Sequence, residues 1–372
     1  MKSSLLHLGL WFLITSASGR DFYMPAESQL HERTIMAWPG NANPSYKERS
    51  GTLSRVKDEL TSIANAISNF EPVTLLVGPE QAADAQERAQ TSGQYGVKVK
   101  VTDQNDLEPW MRDVAPLFVF SDDPQSDRYG LHFDINTWGG WNSYSNVDLA
   151  SKFLADHRIP QVKTSISAYG GALEVDGNGT LIAARAPILD FDLNPGMSQR
   201  AVEKELQRTL GVSKIIWIPG LKDSDISDNH IDGLVRFVAP GKVVLSRPTP
   251  CSGVSAEVYY EAKRVLSQVV DAEGRKLEII DLPEVPADKT DMVASYVNFH
   301  LVNGAVICPG FGIPESDVSA RRILQSLFPE RKVVQVYIPE IALSGGGIHC
   351  MTQQIPAVAQ ENKPACATAD CR

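Results

Sequence analysis

Three glycines pace this chain. Gly179, Gly241 and Gly304 each sit at the tip of a segment that reads as strand, turn, strand, and they stand 62 and 63 residues apart. The segments run from Ala172 to Ala183, turning at Asp176-Gly-Asn-Gly179, from Gly233 to Ser246, turning at Pro240-Gly241, and from Tyr296 to Cys308, turning at Asn303-Gly304. One more step backward lands in Ala115-Pro-Leu-Phe-Val-Phe120, another strand-like run. A recurrence of this size marks a modular fold whose units bury their faces against one another.

Helical patterns lie between the hairpins. Ser198 can cap a helix with Val202, Leu206 and Leu210 on one face and a stop at Gly211, and Asp317 can cap one that carries Ile323, Leu324, Leu327 and Phe328. Asn146 to His157 and Ser255 to Val270 read alike. Short apolar strands follow the helices at Val97 to Val101, Ile215 to Ile218, Leu277 to Leu282 and Val333 to Ile338. The expected unit is hairpin, helix, strand, a ββαβ module of α/β class, and about five copies fill the chain after its leader and close into a ring.

In such a ring the loops after the single strands face one central space. Those loops are Asp103 to Asp113, Gly220 to Asp232, and Glu340 to Cys350, and they are polar. The last runs into Ser344-Gly-Gly-Gly-Ile-His-Cys-Met-Thr-Gln-Gln-Ile-Pro356, where three glycines permit a sharp bend or a close approach to a ligand and Cys350 offers a nucleophilic sulfur. A cysteine alone reads more readily as a small buried hydrophobe. Here His349, Thr352, Gln353 and Gln354 crowd it, unlike an apolar strand. Trp110-Met-Arg-Asp113 adds an aromatic wall and a carboxylate, although by itself it could be a surface Arg112–Asp113 pair over a buried Trp110. In Asp228-Asn-His-Ile-Asp232, an extended chain would put His230 and Asp232 on one side.

A Cys, a His and two carboxylates exceed what an ordinary amide hydrolase needs, and a cysteine peptidase would leave the paired Asp residues without a task. They suit a guanidinium, which is planar, cationic, rich in N–H donors and paired by carboxylates in bidentate fashion. Asp113 and Asp232 would hold it, Cys350 would add to its carbon, His230 would protonate the departing ammonia, and water would release a urea from the thiouronium adduct.

These residues stand within segments that resemble the agmatine deiminase and Porphyromonas-type peptidylarginine deiminase family. The segments are Pro25-Ala-Glu27, His31-Glu-Arg-Thr-Ile-Met-Ala-Trp-Pro39, Trp110-Met-Arg-Asp-Val-Ala-Pro116, Trp138-Gly-Gly140, Gly170-Gly171, Glu174-Val-Asp-Gly177, His230 to Gly241, Tyr296-Val-Asn-Phe299 and Gly345 to Gln354. The resemblance implies the five-bladed α/β-propeller (pentein) fold and catalytic roles for Cys350, His230, Asp113 and Asp232. It implies substrate contacts from Trp110, Arg112, Tyr169, Glu174, Gly346 and Gly347, with no metal and no organic cofactor. Two departures stand out. The family usually carries Glu directly before Gly-Gly, where this chain has Tyr169, and agmatine deiminases typically show an Asn-Pro-Asn-Arg-Asn run where this chain reads Leu189-Asp-Phe-Asp-Leu-Asn-Pro195. The expected substrate is therefore agmatine, an arginine derivative or an arginine-containing peptide, with a weaker agmatine preference than relatives have. The alternative is an altered pentein that binds guanidinium or amine ligands without turnover.

Lys2, the apolar run Leu5 to Ile14 and the small residues Thr15 to Gly19 read as a signal peptide over residues 1–19, followed by a single domain over 20–372 and secretion. No membrane association is expected after cleavage. A net charge of −10 argues against non-specific nucleic-acid binding. Of five cysteines, an odd number in an oxidising compartment, Cys366 and Cys371 could close a short tail loop while Cys350 stays free. No CxxC or Cys/His metal spacing occurs, so no structural zinc is expected. Asn178-Gly-Thr180 fits a glycosylation site and a tight turn equally well.

Overall fold

Gly179, Gly241 and Gly304 take φ of +99°, +77° and +77°, a left-handed conformation that glycine enters without a Cβ clash. The repeat read from the sequence is thus written in backbone geometry. The computed structural model describes residues 22–41, 46, 51–89, 93–121, 128–133, 148–190, 193–220, 230–249, 254–290, 292 and 294–358. The expected signal segment, Trp138-Gly-Gly140, Asp228, Cys251, Cys366 and Cys371 lie outside the described residues.

In chain order, β1 (His31–Ala37) leads through α1 (Thr52–Ile67) to β2 (Val73–Val77), then α2 (Ala82–Arg88) and β3 (Val97–Val101). The short α3 (Met111–Val114) precedes β4 (Leu117–Phe120), β5 (Arg128–His132), α4 (Leu149–Asp156) and β6 (Gln161–Lys163). The next module holds β7 (Leu173–Val175), β8 (Thr180–Ala184), the short α5 (Arg185–Ile188), α6 (Gln199–Leu210) and β9 (Lys214–Ile218). After it come β10 (Val235–Ala239), β11 (Lys242–Arg247), α7 (Val254–Gln268) and β12 (Glu278–Pro283), then β13 (His300–Val302), β14 (Ala305–Gly310), α8 (Pro314–Leu327) and β15 (Lys332–Tyr337). The short α9 (Pro339–Leu343) and β16 (Gln353–Pro356) end the described chain.

Among the described residues five sheets result, with strand orders β16-β1-β2-β3, β4-β5-β6, β7-β8-β9, β10-β11-β12 and β13-β14-β15. Each three-stranded sheet is an antiparallel hairpin whose second strand pairs in parallel with a strand returning from a helix, as in β11 with β12. The first sheet is assembled from both ends of the described chain: β16 pairs antiparallel with β1, which closes the ring. This is the five-bladed α/β propeller of the pentein fold.

Local rules explain most elements. The Ala201 N–H donates to Ser198 Oγ at 3.3 Å and Gly211 ends α6 at φ +67°, while Val202, Leu206 and Leu210 on its inner face are buried. Burying each of these side chains contributes roughly 1.5–3 kcal/mol. Asp317 does not cap α8, contrary to the reading above. Pro314 starts that helix, and the Asp317 carboxylate accepts from the Phe311 and Gly312 N–H groups and from the Tyr296 hydroxyl. Nor does the chain run extended from His230 to Asp232, because Ile231–Gly233 form a single 3-10 turn in which Leu234 N–H closes on the Ile231 carbonyl at 2.9 Å. Apolar side chains fill the spaces between sheets and helices. The centre of the ring is left to buried charge.

Candidate active site

Cys350 ends the loop that follows α9, and its glycines fit that loop into a crowded place. Gly345 takes φ +96° to turn the chain. A Cβ on Gly346 would stand 2.3 Å from the Trp110 ring, and one on Gly347 would stand 2.5 Å from Asn298 Oδ1. A side chain at either position would displace the loop. Asn298 holds the loop from below: its Oδ1 accepts from the N–H groups of His349 at 2.9 Å and Cys350 at 3.3 Å, and its Nδ2 donates to the Cys350 sulfur at 3.2 Å. The Arg112 N–H donates to the Cys350 carbonyl at 3.1 Å, so α3 is tied to the same loop.

The four residues assigned catalytic roles come together around Gly171. A Cβ built there would lie 2.7 Å from His230 Nδ1, 3.0 Å from Asp113 Oδ1 and 3.3 Å from Asp232 Oδ2. The Cys350 thiol donates to that same Asp232 oxygen at 3.4 Å. Gly171 is thus a vacancy in side-chain space on which three blades converge, and its own N–H donates to Asp113 Oδ1 at 2.8 Å. His230 Nδ1 stands 3.7 Å from Asp113 Oδ1. Tyr169 is buried with its ring 5.4 Å from the His230 ring.

Burial and neighbouring charge set the protonation of these groups. Burial pushes the Cys350 thiol well above its ordinary range, and the Asp232 and Asp113 charges push it further. It is a thiol at rest. Burial also raises Asp113, with Asp232 adding repulsion, although the His230 charge and the Gly171 N–H oppose the change. Asp232 goes the other way. Burial would raise it, but the hydrogen bond and charge of His349, with His230 and Arg236, bring it down to about 2.

Beneath these four lies a hub to which each blade contributes. Glu27 Oε2 stands 2.7 Å from His349 Nε2, 3.0 Å from Arg236 Nη2 as a close charge contact, and accepts from Arg112 Nη2 at 3.4 Å. Its Oε1 stands 3.2 Å from His300 Nδ1 and accepts from Leu301 N–H at 2.8 Å. Arg236 Nε donates to Glu174 Oε2 at 2.9 Å, and Phe237 N–H donates to Glu174 Oε1 at 2.8 Å. The expected substrate contacts therefore divide. Trp110, Tyr169, Gly346 and Gly347 stand at the walls of the cysteine loop and His230, while Arg112 and Glu174 turn into the hub with Glu27 and Arg236 as partners.

Glu27, Arg236, Asn298 and His349 were given no role from the sequence. A signal for two of them existed. Arg112, Glu174, Arg236 and Asn298 each stand 62 residues apart, the step of the hairpin glycines, so the repeat that sets the blades also sets this inner layer. Glu27 carries no such signal.

His31, Glu71 and His300 offer ligand atoms within 4.8 Å of one another, a spacing a metal could use. Their atoms are already committed. His31 Nδ1 meets Glu71 Oε1 at 3.2 Å and its Nε2 meets the Glu27 carbonyl at 2.8 Å, while the Thr34 hydroxyl bridges Glu71 Oε1 at 2.6 Å and His300 Nε2 at 3.0 Å. The cluster is a hydrogen-bonded knot that ties β1 and β13 to the hub.

Residues 23–356 match the model of the Porphyromonas-type peptidyl-arginine deiminase family. An agmatine deiminase of Medicago truncatula is 35% identical over 91% of this chain and 97% of its own length, and one of Pseudomonas aeruginosa is 34% identical over 90% and 96%. The solved structure of the Enterococcus faecalis agmatine deiminase superposes with a TM-score of 0.79 at 28% identity, over 90% of this chain and 96% of that one.

Proposed function

Because the chain belongs to the Porphyromonas-type peptidyl-arginine deiminase family, we propose that it is a guanidine deiminase acting on a small, agmatine-like guanidino compound. It is a hydrolase of carbon–nitrogen bonds in linear amidines, and its products are a urea and ammonia. The observation that carries this reading is the convergence of His230, Asp113 and Asp232 on Gly171, with the Cys350 thiol on Asp232.

The chemistry follows from the electrostatics. A resting thiol held protonated first by burial and then by two nearby carboxylates is a poor nucleophile, and a guanidinium placed between Asp113 and Asp232 cancels the carboxylates' share of that effect. Substrate thereby favours the thiolate that attacks it. The thiol proton passes to His230 as the sulfur adds to the guanidine carbon, His230 delivers it to the departing nitrogen, and ammonia leaves a thiouronium. Water then adds to the same carbon and the C–S bond breaks, which returns the cysteine and a urea. The paired carboxylates hold the cation oriented for attack.

Tyr169 bears on specificity. A buried phenol beside His230 cannot pair with a second ammonium as a carboxylate would, which supports a weaker discrimination between agmatine and arginine derivatives than a Glu would give. The apolar run at residues 5–14 supports a secreted form, which intact-mass analysis of exported protein would check. The central test is ammonia release from agmatine, arginine and an arginine-containing peptide, by the native chain and by Cys350→Ser. Turnover that persists in Cys350→Ser removes the nucleophile from this scheme, and binding of guanidines without turnover by the native chain replaces the enzyme with a binding protein. Tyr169→Glu should raise the agmatine-to-arginine ratio, and an unchanged ratio refutes the role given to Tyr169.

A further inference from the structure

His349 has no place in the scheme above, yet it is buried between two carboxylates. Its Nδ1 lies 2.8 Å from Asp232 Oδ2 and its Nε2 lies 2.7 Å from Glu27 Oε2. Both carboxylates are ionised at neutral pH. Glu27 Oε2 faces the Arg236 and Arg112 guanidiniums at 3.0 and 3.4 Å, and Asp232 Oδ2 accepts from the Cys350 thiol at 3.4 Å, so both oxygens act as acceptors. An ionised carboxylate only accepts hydrogen bonds, so each contact needs an N–H on the ring. One proton cannot serve both sides.

We propose that His349 carries a proton on each ring nitrogen and is a positioning residue, which fixes the carboxylate of Asp232 between the Cys350 thiol and the incoming guanidinium. The proposal rests on the deiminase reading for its consequence and on geometry for its protonation state. Asp232 Oδ2 is the shared atom, since it faces His349 Nδ1 at 2.8 Å and the Cys350 sulfur at 3.4 Å. The His349 N–H is held by Asn298 Oδ1 at 2.9 Å, which sets the ring's base as firmly as its two nitrogens. The surrounding charges are accounted for. Glu27 also meets Arg112, Arg236 and His300, Asp232 lies beside His230 and Asp113, and Glu174 feels the His349 charge from across Arg236. Removing the imidazolium would leave Asp232 and Glu27 facing each other across a gap without a cation between them, and the Asp232 carboxylate would be free to turn and to take up a proton.

Two measurements test this. In full-length protein labelled with nitrogen-15 at histidine, both ring nitrogens of His349, assigned by comparison with His349→Gln, should carry hydrogen at about pH 7. A ring with one protonated nitrogen at that pH overturns the proposal, whatever the protein turns over. In activity assays, His349→Gln can donate to only one carboxylate. It should lower kcat by about 100-fold and move the acid limb of kcat/KM upward by at least about one pH unit, as Asp232 becomes protonatable. A loss of active protein with an unmoved pH profile would mean that His349 only supports the fold. Failure of the native protein to deiminate any guanidine would sink the deiminase reading while leaving the nitrogen-15 result intact.

Discussion

Arg236 offers a sharp test of whether the charged hub holds the ring together. Its side chain is fully buried, with Nε on Glu174 at 2.9 Å, Nη2 against Glu27 at 3.0 Å, Nη1 donating to the Phe299 carbonyl at 2.6 Å, and the guanidinium 4.9 Å from the Phe299 ring centre. Arg236→Met keeps the length and removes the cation. Removing one partner of a buried ion pair costs about 3–5 kcal/mol because the remaining charge is uncompensated. Glu174 can escape part of this by taking up a proton, since burial, with the Glu27 charge, already raises it. Glu27 keeps Arg112 and His349. The orphaned Phe299 carbonyl adds about 1–3 kcal/mol. A net loss of about 4 kcal/mol is expected in urea unfolding at neutral pH, a large share of the roughly 5–15 kcal/mol available to a domain. The sign with pH follows from Glu174. Without Arg236 its folded-state value lies further above its unfolded value near 4.3, so the stability its protonation supplies is present below that value and is lost as pH rises through the folded one. The deficit should therefore be smaller at about pH 5 than at about pH 8, and Glu174→Gln in the Arg236→Met background should recover part of it. A loss under about 1 kcal/mol, or a deficit that does not change with pH, would refute the argument.

Gly171→Ala should abolish ammonia release, because its Cβ would fall within 3.3 Å of His230, Asp113 and Asp232; activity near the native level would mean that these groups do not converge there in solution. Iodoacetamide should alkylate Cys350 slowly at neutral pH in the free protein and faster when a small guanidinium salt occupies the site, since burial and then the two Asp charges hold the thiol protonated; equal rates would count against substrate-assisted activation. Glu59 on α1 accepts from the Glu340 and Ile341 N–H groups at 2.9 and 2.8 Å, and burial, with the Glu340 charge, raises it to about 7. That contribution is present at low pH and lost as pH rises through about 7, so Tm should decline between about pH 5.5 and 8 more steeply in the native protein than in Glu59→Gln.

What the sequence by itself determined is local or repeated. Gly179, Gly241 and Gly304 turn hairpins because their own backbone demands it, Ser198 caps α6 across three residues, and alternating valine segments such as Val97 to Val101 form strands. The same period carried the chemistry as far as the polar loops, which is why Asp113, His230, Asp232 and Cys350 could be grouped before any coordinates. Only the tertiary structure decided what each group answers to. Asp317 has a helix-capping look but answers to Tyr296 and to two amides ahead of its helix, and Glu174 looks like a substrate ligand but is spent on Arg236 and Phe237. Glu27 meets His349 across 322 residues and His300 across 273, and neither partner leaves a mark near it in the chain. The physical reason is that backbone propensity acts over a few residues, whereas the ionisation of a buried group is set by whichever charges ring closure brings within a few ångströms of it.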